Sequence, residues 1–268
     1  LYHKISIPSA ELNEESLSSI SKQILAHTDV SEINTNLFMK FLRETLPQMN
    51  LEEISVLLLA AGKRRYVLNL EITTYITNYL ASNTEIPKAQ TVTQLVSGLQ
   101  NRNSRFGHVN RLIEVIASKV DACPFTLSAA QIGYCFAGTR SLWSVVPEVR
   151  RLSAALNRKF YNCDELFTAS SLSHIIFGLQ NKTIVDPQVR KTLFFVVEKL
   201  KSSSTIAPGH SFTSPALAHF IYGLGSIRDD IYEMRKLLSV MAEVLPMLPV
   251  NMFSGINMES MIGLQSFR

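Results

Sequence analysis

The 268-residue chain is 46% hydrophobic and 18% charged, a balance that belongs to a folded protein and excludes a disordered one. Its formal net charge of +4 permits a polyanionic partner without demanding one, and three cysteines without CxxC spacing or a His-rich context point to neither a disulfide framework nor a zinc site. The longest apolar run, residues 54–62, falls far short of the roughly 20 residues that cross a bilayer, so no membrane partner is expected.

In chain order, residues 1–49 read as a divergent N-terminal helical cap, with one helix pair over 14–48. Asn50, with Glu53 three residues on, has the form of a capping box before the apolar stretch 54–61, which pairs with 68–80. The stretch 92–100 pairs with 109–120. Ser128 opens a helix through Gly138, and Pro147 precedes Val149, Leu152 and Leu156. Thr168 is an N-cap, with Phe167 as its hydrophobic staple, for a helix presenting Leu172, Ile175, Ile176 and Leu179 on one face. Asp186-Pro187 starts the next helix with a cap and a proline at its first position, followed by Val189, Leu193, Val196, Val197 and Leu200. A Ser-rich linker over 201–210 reads as a loop insertion, after which Thr213 and Pro215 open a helix through Leu224, and Asp230 precedes Met234, Leu237, Leu238 and Met241. The end, 252–268, carries Ile256, Met258, Met261, Ile262 and Leu264 but no second helix; it is expected to form an interface or to continue into further chain.

Two landmarks recur in phase along this series. A glycine closes each first helix, at Gly98, Gly138, Gly178, Gly223 and Gly263, with spacings of 40, 40, 45 and 40 residues, and Ala61 takes its place upstream. An apolar residue followed by Ser or Thr recurs as Leu127-Ser128, Phe167-Thr168, Phe212-Thr213 and Phe253-Ser254. A period of about 40 residues predicts an all-α fold: a right-handed α-solenoid of antiparallel helix pairs over 50–268, HEAT/armadillo-like or octotricopeptide-like. The glycine, Gly178 for example, is expected to let the partner helix of its pair approach closely.

The wording of the repeats, IIFGLQN followed by DPQVRKTL and IYGLGS followed by YEMRKLL, resembles the helical repeats of protist organellar RNA-processing proteins. These include octotricopeptide-type and RAP-associated repeats and the helical-repeat subunits of kinetoplastid mitochondrial RNA-editing mediator complexes. The resemblance covers roughly residues 50–268, and the copy around Gly138 departs from it, with Ala137 and Thr139 where Phe177 and Leu179 stand. It implies RNA binding, or a scaffold for RNA-bound subunits, in RNA processing and guide-RNA-dependent mRNA editing in the mitochondrial matrix. Single-stranded or guide RNA and other protein subunits, engaged through 252–268, are the partners it implies. A protein-only scaffold and an organellar ribosome or ribosome-assembly subunit are the alternatives.

Candidate RNA contacts are the run Lys63, Arg64 and Arg65, the loop residues Arg102 and Arg105, and an edge formed by Arg140, Arg151 and Lys191, with Phe106 and Trp143 as stacking groups. Arg111, Arg150, Arg190 and Arg235 recur near the starts of second helices. They form a ladder that either tracks phosphates or ties neighbouring repeats through carboxylates and helix carbonyls. His174 and His219 occupy equivalent repeat positions, where the preceding copy has Tyr134. Phosphate loops, HExxH pairs and nucleophile elbows are absent from the sequence, so neither an enzyme nor a cofactor is expected.

Overall fold

The computed structural model describes residues 44–63, 68–202, 212–225, 227 and 231–244. Among these residues the chain is all helical and without strands. A short 3-10 turn, Leu46–Gln48, precedes ten α-helices: α1 (Leu51–Lys63), α2 (Leu70–Ser82), α3 (Ala89–Ser97), α4 (Gly107–Ala122), α5 (Ala129–Gly138), α6 (Pro147–Tyr161), α7 (Ala169–Phe177), α8 (Pro187–Ser202), α9 (Ser214–Gly225) and α10 (Tyr232–Val244). Residues 1–43 of the expected N-terminal cap and the whole of 252–268 lie outside the described residues.

Side-chain caps fix where these helices begin. Glu53 N–H donates to Asn50 Oδ1 at 3.0 Å while Asn50 N–H donates to Glu53 Oε2 at 2.9 Å, the reciprocal bonds of a capping box. Ser128 and Gln131 make the same exchange at the start of α5. Thr168 Oγ1 accepts from Ser171 N–H at 3.2 Å, and Asp186 Oδ1 accepts from Gln188 N–H at 2.9 Å. Each cap satisfies an amide that the first turn leaves without an intrahelical partner.

Helices pack with their equivalents. The odd-numbered helices contact one another in succession, α1 to α3 to α5 to α7 to α9, and the even-numbered helices do the same from α2 to α10. Smaller contacts join α3 to α4, α5 to α6 and α7 to α8. One contiguous apolar core runs along the series. Phe160 sits within it, fully buried, with ring centroids of Phe167, Phe195 and Phe136 at 4.9, 5.6 and 6.1 Å.

The glycines explain how close the odd helices come. A Cβ on Gly178 would stand 2.1 Å from the Phe136 carbonyl oxygen, one on Gly223 2.5 Å from that of Ile176, and one on Gly138 2.6 Å from that of Val96. Backbone therefore touches backbone, and no side chain fits. The neighbour is the equivalent helix of the preceding repeat, not the partner helix of the same pair as the sequence suggested. The first repeat is also shifted by one. Gly98 meets the Leu58 carbonyl, two residues before Ala60, as Gly178 meets Phe136 two residues before Gly138. Ala60, rather than Ala61, is the equivalent position.

Candidate interaction surfaces

Links between residues about one repeat apart run along both edges of the helix series. On the edge that joins odd helices to even ones, Trp143 N–H donates to Ser104 Oγ at 2.9 Å and Thr183 N–H to Ser144 Oγ at 2.8 Å. Asn101 and Asn181, the last residues of the two GLQN segments, take left-handed backbone at φ 65° and 56°, a region asparagine tolerates better than most residues. Their amides donate back to the carbonyls of Gly62 at 2.9 Å and Arg140 at 3.1 Å. On the opposite edge lysines form a second series. Lys119 Nζ donates to the Asn83 carbonyl, Lys159 Nζ to those of Cys123 and Phe125, and Lys199 Nζ to that of Cys163 at 2.8 Å. Asn83 and Cys123 are helix C-caps, where carbonyls lack intrahelical partners and a cation meets the negative end of the helix dipole.

One rung runs through the interior. Lys182 is 7% exposed and its Nζ donates to the Thr139 carbonyl at 2.6 Å and to the Leu142 carbonyl. Burial pulls its pKa down to about 7 against the opposing influence of Asp186. The equivalent positions are Arg102, Leu142 and Ile227. Leu142 and Ile227 are buried core residues, and desolvation lowers the Arg102 pKa to about 10. Arg102 is thus drawn toward the interior rather than displayed on a solvated loop.

The face of the even helices is densely charged and laced from one helix to the next. Arg151 pairs with Glu114 at 3.1 Å and Arg158 with Asp121 at 2.6 Å, joining α6 to α4. Arg190 pairs with Glu233 at 2.9 Å and Lys236 with Glu198 at 3.4 Å, joining α8 to α10. The hydrogen bond from Arg190 holds the Glu233 carboxyl below its ordinary pKa. Arg150 instead folds onto its own loop, donating to the carbonyls of Ser144 at 2.8 Å and Val145 at 3.1 Å. Arg111 and Arg235 are exposed on α4 and α10. Arg190 and Lys191 share a shallow groove of about 310 Å³ with Pro187, Phe194 and Glu233, and Lys191 Nζ lies 5.6 Å from the centre of the Phe195 ring.

The remaining basic candidates sit along the edges. Lys63 is exposed at the end of α1, and Arg64 and Arg65 lie outside the described residues. The Arg105 guanidinium lies 4.6 Å from the centre of the Trp143 ring, and Phe106 is exposed and stacks on His108. Arg140 donates to Asn101 Oδ1 at 3.2 Å and lies 5.1 Å from the centre of the Phe177 ring.

The face of the odd helices has a different chemistry. Helices α3, α5, α7 and α9 contain no Asp, Glu, Lys or Arg. In place of charge there is a chain of rings. Tyr134 meets His174 at 5.3 Å between centroids, His174 meets His219 at 5.7 Å, and Phe177 meets His219 at 4.7 Å and Tyr222 at 6.2 Å. Tyr134 and Tyr222 are 53% and 54% exposed, while Phe177 and both histidines are half-buried. Burial lowers the pKa of His174, which neighbouring His219 lowers further; burial also lowers that of His219, with Arg140 adding to the effect. Both shifts favour the neutral imidazole. Sequence reasoning found the repeat positions of the histidines but missed this charge-free face and the lysine series, although both are written in the sequence: four helices without a charge, and lysines at 40-residue spacing.

No family model matches the chain, and no curated protein matches it.

Proposed function

We propose that this chain is a non-catalytic α-solenoid of right-handed, roughly 40-residue repeats, and that it serves as an interaction scaffold in an organellar ribonucleoprotein assembly devoted to RNA processing. The solenoid reading rests on equivalent helices packing in succession and, among the described residues, on side-chain links that reach the neighbouring repeat. The RNA-processing and mitochondrial setting rests on the resemblance of the GLQN and DPQVRKTL segments alone. One observation carries the choice of a protein-binding scaffold: the half-exposed ring-bearing face of α5, α7 and α9 has no charged helix residue, whereas cations of the opposite face such as Arg151, Arg158, Arg190 and Lys236 are tied to carboxylates and Lys119, Lys159 and Lys199 to carbonyls. Depletion of charge with enrichment of aromatic rings is the composition of a protein-interface centre. A surface that follows a phosphate backbone needs cations.

A second reading, direct contact with single-stranded RNA, is favoured by the loop edge, where Arg105 stands over Trp143 and Arg140 over Phe177. Titration of labelled single-stranded RNA into the full chain at physiological salt separates the two. The scaffold reading expects no binding tighter than the nonspecific range of about 10⁻⁴ to 10⁻⁶ M. Tighter binding, weakened by Arg105→Glu and Arg140→Glu and with a salt slope of about 0.7 per lost phosphate contact, would transfer the function to RNA recognition.

A further inference from the structure

We propose that the junction between the α5–α6 and α7–α8 pairs is a hinge, pivoting on the odd row at Gly178 and opening on the even row along a polar seam at Asn157. The hinge goes beyond the scaffold reading and does not depend on what the array binds. Three features coincide at this junction. The first is the seam. Asn157, fully buried on α6, donates from Nδ2 to the Gln188 carbonyl at 3.0 Å and to Gln188 Oε1 at 3.2 Å, and its Oδ1 accepts from Thr192 Oγ1 at 2.9 Å. One repeat to either side, the positions equivalent to Asn157 and Thr192 are Ala117 with Leu152 and Val197 with Leu237, all fully buried and apolar.

The second feature is sparse contact on the even row. Helices α6 and α8 touch less extensively than α2 and α4, α4 and α6, or α8 and α10. Arg151–Glu114 and Arg158–Asp121 tie α4 to α6, and Arg190–Glu233 and Lys236–Glu198 tie α8 to α10. Across the seam stand the Asn157 bonds and the Phe195 ring, 5.6 Å from the ring centroids of both Phe160 and Tyr161. The third feature is the pivot. Among the described glycines Gly178 leaves the least room for a side chain. Close by in sequence, buried Lys182 ties the same two repeats through the carbonyls of Thr139 and Leu142, and Asp186 Oδ2 is buried without a hydrogen-bond partner among the described residues. Opening an apolar junction is resisted because water must then cover apolar surface. A polar seam resists less, since water replaces each hydrogen bond that breaks. The array therefore moves as two blocks, α1–α6 and α7–α10, that turn about the close contact at Gly178.

The test is a pair of distance distributions from pulsed electron paramagnetic resonance on the full chain. Asn78, Ser118, Arg158 and Glu198 are equivalent exposed positions on α2, α4, α6 and α8, and Cys123, Cys135 and Cys163 are buried away from the label. Spin labels on Ser118→Cys and Glu198→Cys span two repeats across the hinge. Labels on Asn78→Cys and Arg158→Cys span two repeats without crossing it, and the loss of Arg158 loosens only this control. The hinge pair is expected to give a distribution at least twice as wide as the control. Asn157→Ala with Thr192→Leu, which copies Ala117 and Leu152, should narrow the hinge pair to the control width. Thr192→Val keeps the shape of the side chain, deprives Asn157 Oδ1 of its donor and should widen the distribution further. Helical circular dichroism shows whether each variant has kept its fold; if the double variant has not, Thr192→Val decides alone. Equal widths for the two label pairs overturn the proposal. So does a folded variant of either kind that leaves the hinge-pair width unchanged.

Discussion

The two faces of the helix series are built from the same repeat yet hold together by different means. Along the odd helices, backbone contacts backbone at Gly138, Gly178 and Gly223, and the exposed side of α5, α7 and α9 is a strip of rings. Along the even helices, side chains reach across, and the exposed side carries ion pairs such as Arg151–Glu114 and Arg158–Asp121. A close backbone contact cannot be compressed and admits no side chain, whereas exposed ion pairs exchange readily with water and salt. The odd row is therefore the rigid member that sets the spacing, and the even row is the adaptable one.

The sharpest way to break this contrast is to add one methyl group to the odd row. Gly178→Ala places a Cβ against the Phe136 carbonyl and should cost about 3 kcal/mol, read as a drop in the urea midpoint at unchanged m-value. Gly107, at the start of α4, has open space around the same atom. Gly107→Ala should therefore be neutral or stabilise by about 0.5 kcal/mol. Equal costs at the two sites would remove the special role of the odd row.

Next in size is the pH dependence of the interior rung. Lys182 has a folded-state pKa of about 7, below the ordinary 10.5, so the unfolded chain binds more protons between those values. Stability should consequently rise from pH 7 toward pH 10.5, by on the order of 2 kcal/mol between pH 7 and 9, and stay flat in this respect below pH 7. Lys182→Leu, which copies Leu142, should abolish that slope in denaturation curves measured at the two pH values. A slope that persists in the variant would assign it to other groups.

A smaller loss is expected on the lysine edge. Lys159→Met should cost about 1–2 kcal/mol by leaving the Cys123 and Phe125 carbonyls without their charged donor. Amide exchange at the end of α4 should quicken in the variant. The smallest effects belong to the exposed even face. Arg151→Ala and Arg158→Ala should each cost about 0.2–1 kcal/mol, shrinking as salt is raised. A salt-insensitive cost there would mean that the even row is as rigid as the odd one.

What the sequence made legible was local. Asn50 with Glu53, Ser128, Thr168 and Asp186 all sit at helix starts, because a cap needs only a short polar side chain at a defined offset. The glycine period was equally plain, but the identity of its neighbour was not. A glycine reports that something comes close, not which helix does. Arg102 shows the same limit from the other side. Its surroundings, NRNSR, read as a solvated loop, and only alignment with Leu142 and Ile227 reveals a core position. The arginine ladder was visible as spacing, yet the spacing held no sign that Arg150 would turn to its own loop while Arg190 reached the next helix.

The cross-repeat links have a consequence for how such a chain grows. Ser104 with Trp143, Ser144 with Thr183, Lys159 with Cys123 and Lys199 with Cys163 each join residues 36 to 39 positions apart. An in-frame duplication of one unit of DNA about that long copies an acceptor and the donor for its neighbour together. The new segment arrives with both of its joints already made, so lengthening or shortening the array by whole units demands no compensating mutation, whereas an insertion of half a unit would break every link it interrupts.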